Sequence, residues 1–254
     1  AAVAYGLPQD PLRLERFKQF NWRGLLLGFP AICMLVIGLL QGNRLDWFES
    51  GLITFLLCGG TVLLALFMLN EWSQPLPFFN LQMLGLRNLA FALIVLAGVL
   101  MVLTSVIIIP SSFLAQVQGY RPLQTAPVML LMALPQLIAL PLVAALCNLR
   151  WVDCRWVLGI GLSMLVLCCL GSSHLTSAWI RDDFYGWYLL QIFGQPMAVL
   201  PLLMLSTGSI QPIEGPFASA WFNTVKGLAA VIATAVLDTL TTQRGHFHST
   251  MLVD

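Results

Sequence analysis

Long apolar stretches divided by short polar ones set the pattern of this chain. Residues 24–43, 50–70, 88–120, 122–149, 156–180 and 184–213 contain no Asp, Glu, Lys or Arg, and a seventh stretch, 215–242, is interrupted only by Lys226 and Asp238. A helix that crosses the hydrocarbon of a bilayer needs about 20 residues, and each stretch reaches that length. In lipid the backbone polar groups are satisfied only within helices or closed barrels, and none of these stretches shows the alternation of a barrel strand. The pattern predicts an all-α membrane protein of about seven transmembrane helices.

The breaks between stretches give the organisation. Residues 1–23 read as a cytoplasmic linker and 24–70 as a pair of transmembrane helices. Residues 71–87, with Pro75 and Pro77, form a cytoplasmic loop and the best boundary. Five further helices occupy 88–242, and the polar residues 243–254 read as the start of an external loop. The chain begins with Ala1, shows no signal peptide, and has an odd number of spans that leaves its ends on opposite sides. Together these features suggest a piece of a longer protein.

Composition strengthens the membrane reading. Only 9% of the 254 residues are charged and 59% are hydrophobic, whereas a soluble domain carries about 25% charged residues. With a net charge of +1 there is no basic face for nucleic acid. The six cysteines (Cys33, Cys58, Cys147, Cys154, Cys168, Cys169) lack metal or redox spacing, and only Cys154 falls in a predicted loop.

Basic residues orient the helices, because Lys and Arg are retained on the cytoplasmic side. Arg13, Arg16, Lys18, Arg23, Arg87, Arg150 and Arg155 fall on one side, against Arg44, Arg121, Arg181 and Arg244 on the other. The N-terminus therefore reads as cytoplasmic and the C-terminal tail as external.

Polar groups inside lipid are costly and therefore informative. Lys226 lies roughly 16 Å along its helix from Gly215, near the midplane, with Asn223 one turn before it on the same face. A functional charge is one reading and a lysine snorkelling to the interface is the other. Asp238 is about 18 Å further along and about 120° around the helix, so it is not the partner of Lys226 and reads as a solvated helix end. Tyr188, Gln191 and Gln195 recur at spacings of three and four, hence on one face. That stripe either lines a polar cavity or bonds to a neighbouring helix. Pro127, Pro135, Pro141, Pro196 and Pro201 remove backbone donors within their spans and tend to kink them. The small residues Gly227, Ala229, Ala230, Ala233 and Ala235 allow a close helix contact in the seventh span. His174, His246 and His248 have no converging partners, and a zinc site needs three or four ligands. No nucleophile motif or glycine-rich phosphate loop occurs, so the chain reads as a non-enzyme with no cofactor and no metal.

Several motifs carry a family resemblance. Phe20-Asn21-Trp22-Arg23-Gly24-Leu25-Leu26-Leu27-Gly28 and Gly42-Asn43-Arg44-Leu45-Asp46-Trp47-Phe48 resemble the seventh helix and following loop of fourteen-span drug:proton antiporters of the major facilitator superfamily, the EmrB/QacA type. Gln118-Gly119-Tyr120-Arg121-Pro122-Leu123-Gln124 resembles the family's external loop before its tenth helix. Leu149-Arg150-Trp151-Val152-Asp153-Cys154-Arg155 resembles the cytoplasmic loop before its eleventh. Asn223-Thr224-Val225-Lys226-Gly227 is similar to its thirteenth helix, with Lys226 where Arg is frequent and Asp238 where a neutral residue is usual.

The resemblance implies the C-terminal portion of a proton-coupled multidrug efflux transporter in the bacterial cytoplasmic (inner) membrane. The first two spans would be the pair inserted between two six-helix bundles, and the other five would be most of the C-terminal bundle. Its partners would be small amphipathic organic substrates, protons, the lipid bilayer and a missing N-terminal bundle of the same protein. Tyr188, Gln191, Gln195, Asn223 and Lys226 would line the substrate cavity. Two other classes compete: a membrane-embedded lipid-modifying enzyme using His174 or the Asp182-Asp183 pair, and a non-transporting membrane scaffold.

Overall fold

The computed structural model describes residues 21–74, 77–176, 178–208, 210 and 214–251. Seven long helices follow one another: α1 (Trp22–Gly42), α2 (Gly51–Ser73), α3 (Arg87–Gln116), α4 (Pro122–Cys147), α5 (Cys154–Ser173), α6 (Asp183–Thr207) and α7 (Gly215–Met251). All seven are long and apolar enough to cross a membrane, and the described residues contain no strand. The chain is an all-α integral membrane protein, as the apolar pattern predicts. Most of the 1–23 linker lies outside the described residues, as does Pro75. The final helix departs from expectation, continuing past Thr242 to Met251 across what reads as loop in the sequence. Its polar last turns need no lipid, because a helix satisfies its own backbone in water as well.

Helices α1 and α2 form a tight hairpin in which the buried residues of α1 are all small (Gly24, Gly28, Ala31, Gly38 and Gly42), while its Met34 and Leu35 lie on Gly59 and Gly60 of α2. A methyl added at Gly28 would lie 2.9 Å from the Phe67 ring, and one at Gly38 would lie 2.9 Å from Leu57. Lipid gives no hydrophobic drive between helices, so dispersion at such close approach holds the pair together. The connection contains Asp46 and Trp47, both at positive φ (54° and 50°). Asp tolerates that region better than a bulky residue does. The indole of Trp47 lies on Gly42, where a methyl would come within 2.8 Å of the ring.

In the remaining five helices α6 is central, packing on α3, α4 and α5. At its crossing with α5 the backbones nearly touch: a methyl at Gly161 would meet the Met197 carbonyl carbon at 2.6 Å and the Ala198 nitrogen at 2.7 Å. Helix α7 packs on α3 and α1. Its Ala218 and Phe222 bury against Leu89, Leu93 and Leu96 of α3. Ala229, Ala233 and Ala235 are also buried, in keeping with the small-residue face expected there.

The segment between α2 and α3 ties the hairpin to the rest. Asn80 starts a short 3-10 turn (Leu81–Gly85) by accepting from the Gln82 amide. Phe79 sits edge-on to both Phe67 of α2 and Trp221 of α7, and Trp221 Nε1 donates to the Asn80 carbonyl at 3.2 Å. At the other end of the hairpin, Asn43 Nδ2 donates to Thr242 Oγ1 at 2.9 Å and to the Asp238 carbonyl at 3.3 Å.

Candidate functional site

The polar stripe of α6 faces into the bundle. Tyr188 is 2% exposed and Gln191 is fully buried. Tyr188 donates its hydroxyl to the Val106 carbonyl of α3 at 3.3 Å. That carbonyl stands four residues before Pro110, which has no N–H to give it, so the phenol fills a vacancy created by the proline. One turn beyond Gln191, Gln195 Oε1 accepts from Gln136 Nε2 of α4 at 2.7 Å. The sequence leaves open whether this stripe lines a cavity or bonds to neighbouring helices, and Tyr188 and Gln195 both make interhelical bonds. Between them, the Oε1 and Nε2 of Gln191 have no hydrogen bond among the described residues.

Asn223 and Lys226 occupy a different surface. Both are exposed on α7, and Asn223 Nδ2 donates back to the Ser219 carbonyl of its own helix at 3.0 Å. Lys226 makes no ion pair among the described residues. The five residues expected at one site therefore divide into a buried amide and phenol stripe on α6 and an open basic face on α7.

Two polar positions matter that the sequence reading passes over. Glu71 reads as the first residue of a loop, yet it lies in the last turn of α2 at 2% exposure. Its Oε1 accepts from Asn21 Nδ2 at 2.7 Å and its Oε2 from the Phe79 amide at 2.9 Å. The signal available was Asn21 itself, an N-cap whose side chain also accepts from the Gly24 amide at 2.9 Å. Gln136 is hidden in a proline-rich apolar run beside Pro135, and only its Gln195 bond singles it out.

Candidates for enzymatic chemistry serve the turns. Asp183 accepts from the Ile180 amide at 2.8 Å, and Asp182 pairs with Arg181 at 3.2 Å. His174 is exposed at the end of α5. The side chains of His246 and His248 lie outside the described residues. Among the described residues no group of His, Cys, Asp and Glu could hold a metal ion.

The motifs that carry the family resemblance are mostly architectural. Gly24 leaves room for the Asn21–Glu71 bond, since a methyl there would lie 2.7 Å from Glu71 Oε1. Gly42, Asn43 and Trp47 build the α1–α2 turn and its link to α7. In the turn before α4, Gly119 takes a φ of 66° and the Arg121 amide donates to Gln124 Oε1 at 2.8 Å. Asp153 caps α5 by accepting from the Arg155 amide at 2.9 Å.

A cleft opens between α3 and α5. Its apolar part, about 590 Å³, is lined by Val95, Val99 and Val102 of α3 and by Leu162, Leu165 and Cys169 of α5. At the end near Arg155 it meets a second cavity of about 260 Å³ that includes Asn88, Arg155 and Ser206.

An all-helical bundle of membrane length, with buried amides at mid-span and an open basic helix face, is the architecture of a polytopic membrane protein. The known proteins that the chain is similar to are named as transporters. The chain is 28% identical to an uncharacterized MFS-type transporter of Mycobacterium tuberculosis, over 95% of the chain and 41% of the relative. It is 24% identical to the probable multidrug resistance protein EmrY of Escherichia coli, over 95% of the chain and 48% of the relative. It is 25% identical to the multidrug resistance protein Stp of Mycobacterium tuberculosis, over 88% of the chain and 41% of the relative. The resemblance to major-facilitator drug transporters thus holds over most of the chain. The chain spans less than half the length of these relatives. No family model and no solved structure matches it.

Proposed function

We propose that the complete protein to which this chain belongs exports small amphipathic organic compounds across the bacterial cytoplasmic membrane against proton entry. The observation that carries this reading is similarity over 88–95% of the chain to three transporters, two of them named as multidrug resistance proteins. In this reading α1 and α2 are an inserted pair, α3–α7 belong to a C-terminal bundle, and a further bundle precedes them. The open cleft between α3 and α5 supports an incomplete bundle, because its apolar walls suit a further membrane helix.

The working surface in this reading is the open face of α7. Lys226 is exposed there without a counter-charge among the described residues, and a charge at that depth in lipid costs about 2.5–3.5 kcal/mol on insertion scales. A facing acid in the preceding bundle would offset the cost, and protonation of that acid would release the pair. The glutamines of α6 support the bundle behind this face. Transport would follow from rocking of one bundle against the other around a central cavity.

The test is export of a fluorescent cationic dye by cells producing the complete protein, with and without a protonophore. Export that stops when the proton gradient collapses is the expected result. Export that persists without the gradient removes proton coupling, and absence of export for a panel of cationic and neutral amphiphiles removes the drug-transport reading.

A further inference from the structure

The two amides of α6 stand in unequal positions toward α4. Gln195 holds Gln136 at 2.7 Å, while Gln191, four residues earlier on the same face, is fully buried with neither amide atom hydrogen-bonded among the described residues. A buried unbonded amide is costly, and such a group calls for an explanation. Helices α4 and α6 are two spans apart and cross the membrane in the same direction. The Gln136–Gln195 bond therefore places Gln191 one turn from Gln136, level with Met132, and Met132 packs in the same cluster as Tyr188.

Each bonding glutamine is joined to a proline: Pro135 precedes Gln136 in α4, and Pro196 follows Gln195 in α6. Proline removes an intrahelical bond and weakens the helix at that turn, so each helix lacks a backbone bond beside the place where the amides meet. A displacement of four residues of rise, about 6 Å, brings Gln191 to the level now held by Gln195. Helix contacts in switching proteins move by such steps because packed interfaces are bistable.

We propose that Gln136 exchanges partners between Gln195 and Gln191, making the α4–α6 contact a two-position catch. In either position Gln136 is bonded and one α6 amide waits. The two registers then differ by little in hydrogen bonding, the condition for a helix pair to occupy both. The catch deepens the transporter reading by naming a moving contact within the bundle, but it is read out without transport.

A thermal double-mutant cycle on the complete protein tests it. Gln195→Leu should lower the unfolding midpoint less than Gln136→Leu does, because Gln136 turns to Gln191. The Gln191→Leu/Gln195→Leu double variant should fall below the sum of its singles by about 1 °C, the scale of one buried hydrogen bond in a protein more than twice the length of this chain. That excess should vanish when Gln136→Leu is also present. Methionine replacements, which keep length without the amide, repeat the cycle should a leucine variant not fold. Additive shifts for positions 191 and 195 would show a fixed Gln136–Gln195 bond beside an inert Gln191, and would overturn the proposal whatever the dye-export result.

Discussion

Asn21 and Glu71, fifty residues apart, meet through a 2.7 Å bond from Nδ2 to Oε1 that closes the open end of the α1–α2 hairpin. The second oxygen of Glu71 accepts from the Phe79 amide. Two donors thus face one carboxylate, and the geometry requires an acceptor at both oxygens. Glu71→Gln places an NH₂ group against one of the donors. The expected cost is about 1–3 kcal/mol, visible as a lower thermal midpoint and less protein in the membrane. A Gln variant as stable as the native protein would mean that the carboxylate has no special fit.

Tyr188 and Pro110 are coupled through the Val106 carbonyl, and a double-mutant cycle can measure this. Tyr188→Phe should destabilise by about 0.5–1.5 kcal/mol by leaving that carbonyl empty. With Pro110→Ala in place, the new amide at 110 can serve Val106 within the helix, so Tyr188→Phe should then cost less. Equal costs in the two backgrounds would remove the coupling.

Lys226 is to be tested for charge as well as presence. Lys226→Arg should keep substantial efflux in the complete protein, although the planar guanidinium is not equivalent to an ammonium. Lys226→Gln should insert and fold, since a costly charge is gone, yet lose most proton-coupled efflux. The measurement is efflux normalised to protein in the membrane. Full activity of the Gln variant would leave Lys226 as a snorkelling side chain.

Sidedness follows from the basic residues and can be read in intact cells. On a cysteine-free background, an impermeant maleimide should label Glu49→Cys, in the α1–α2 turn, and leave Trp151→Cys, in the α4–α5 turn, unmodified until the cells are opened. Trp151 is 97% exposed, so lack of labelling there would reflect the barrier and not burial. The reverse pattern would invert the orientation.

Much of this architecture is legible in the chain because hydropathy acts locally. Each uncharged run became one helix, and the prolines of α4 and α6 lie inside helices as expected. Partnership between helices is less legible. The glycine stripe of α1 escapes notice because hydropathy weighs a small residue by its polarity and not by the approach it allows. Glu71 misleads for the opposite reason: a carboxylate is read as a boundary, while its two donors come from a cap and a loop remote from it. The spacing of Tyr188, Gln191 and Gln195 correctly gives a shared face, but only the positions of α3 and α4 decide which of them find partners. The end of α7 is missed because a hydropathy pattern marks where lipid stops, and a helix has no obligation to stop with it.

The bonds from Asn43 to α7 and the Phe79–Trp221 contact grip the hairpin near opposite faces of the bilayer. With both ends held, α7 cannot tilt without carrying α1 and α2 along. The body that moves through the lipid is then three helices wide, and the lipids it must displace grow with that width. Bilayer thickness and stiffness would therefore load any motion of α7, making the rate of conformational change a property of the surrounding membrane as well as of the protein.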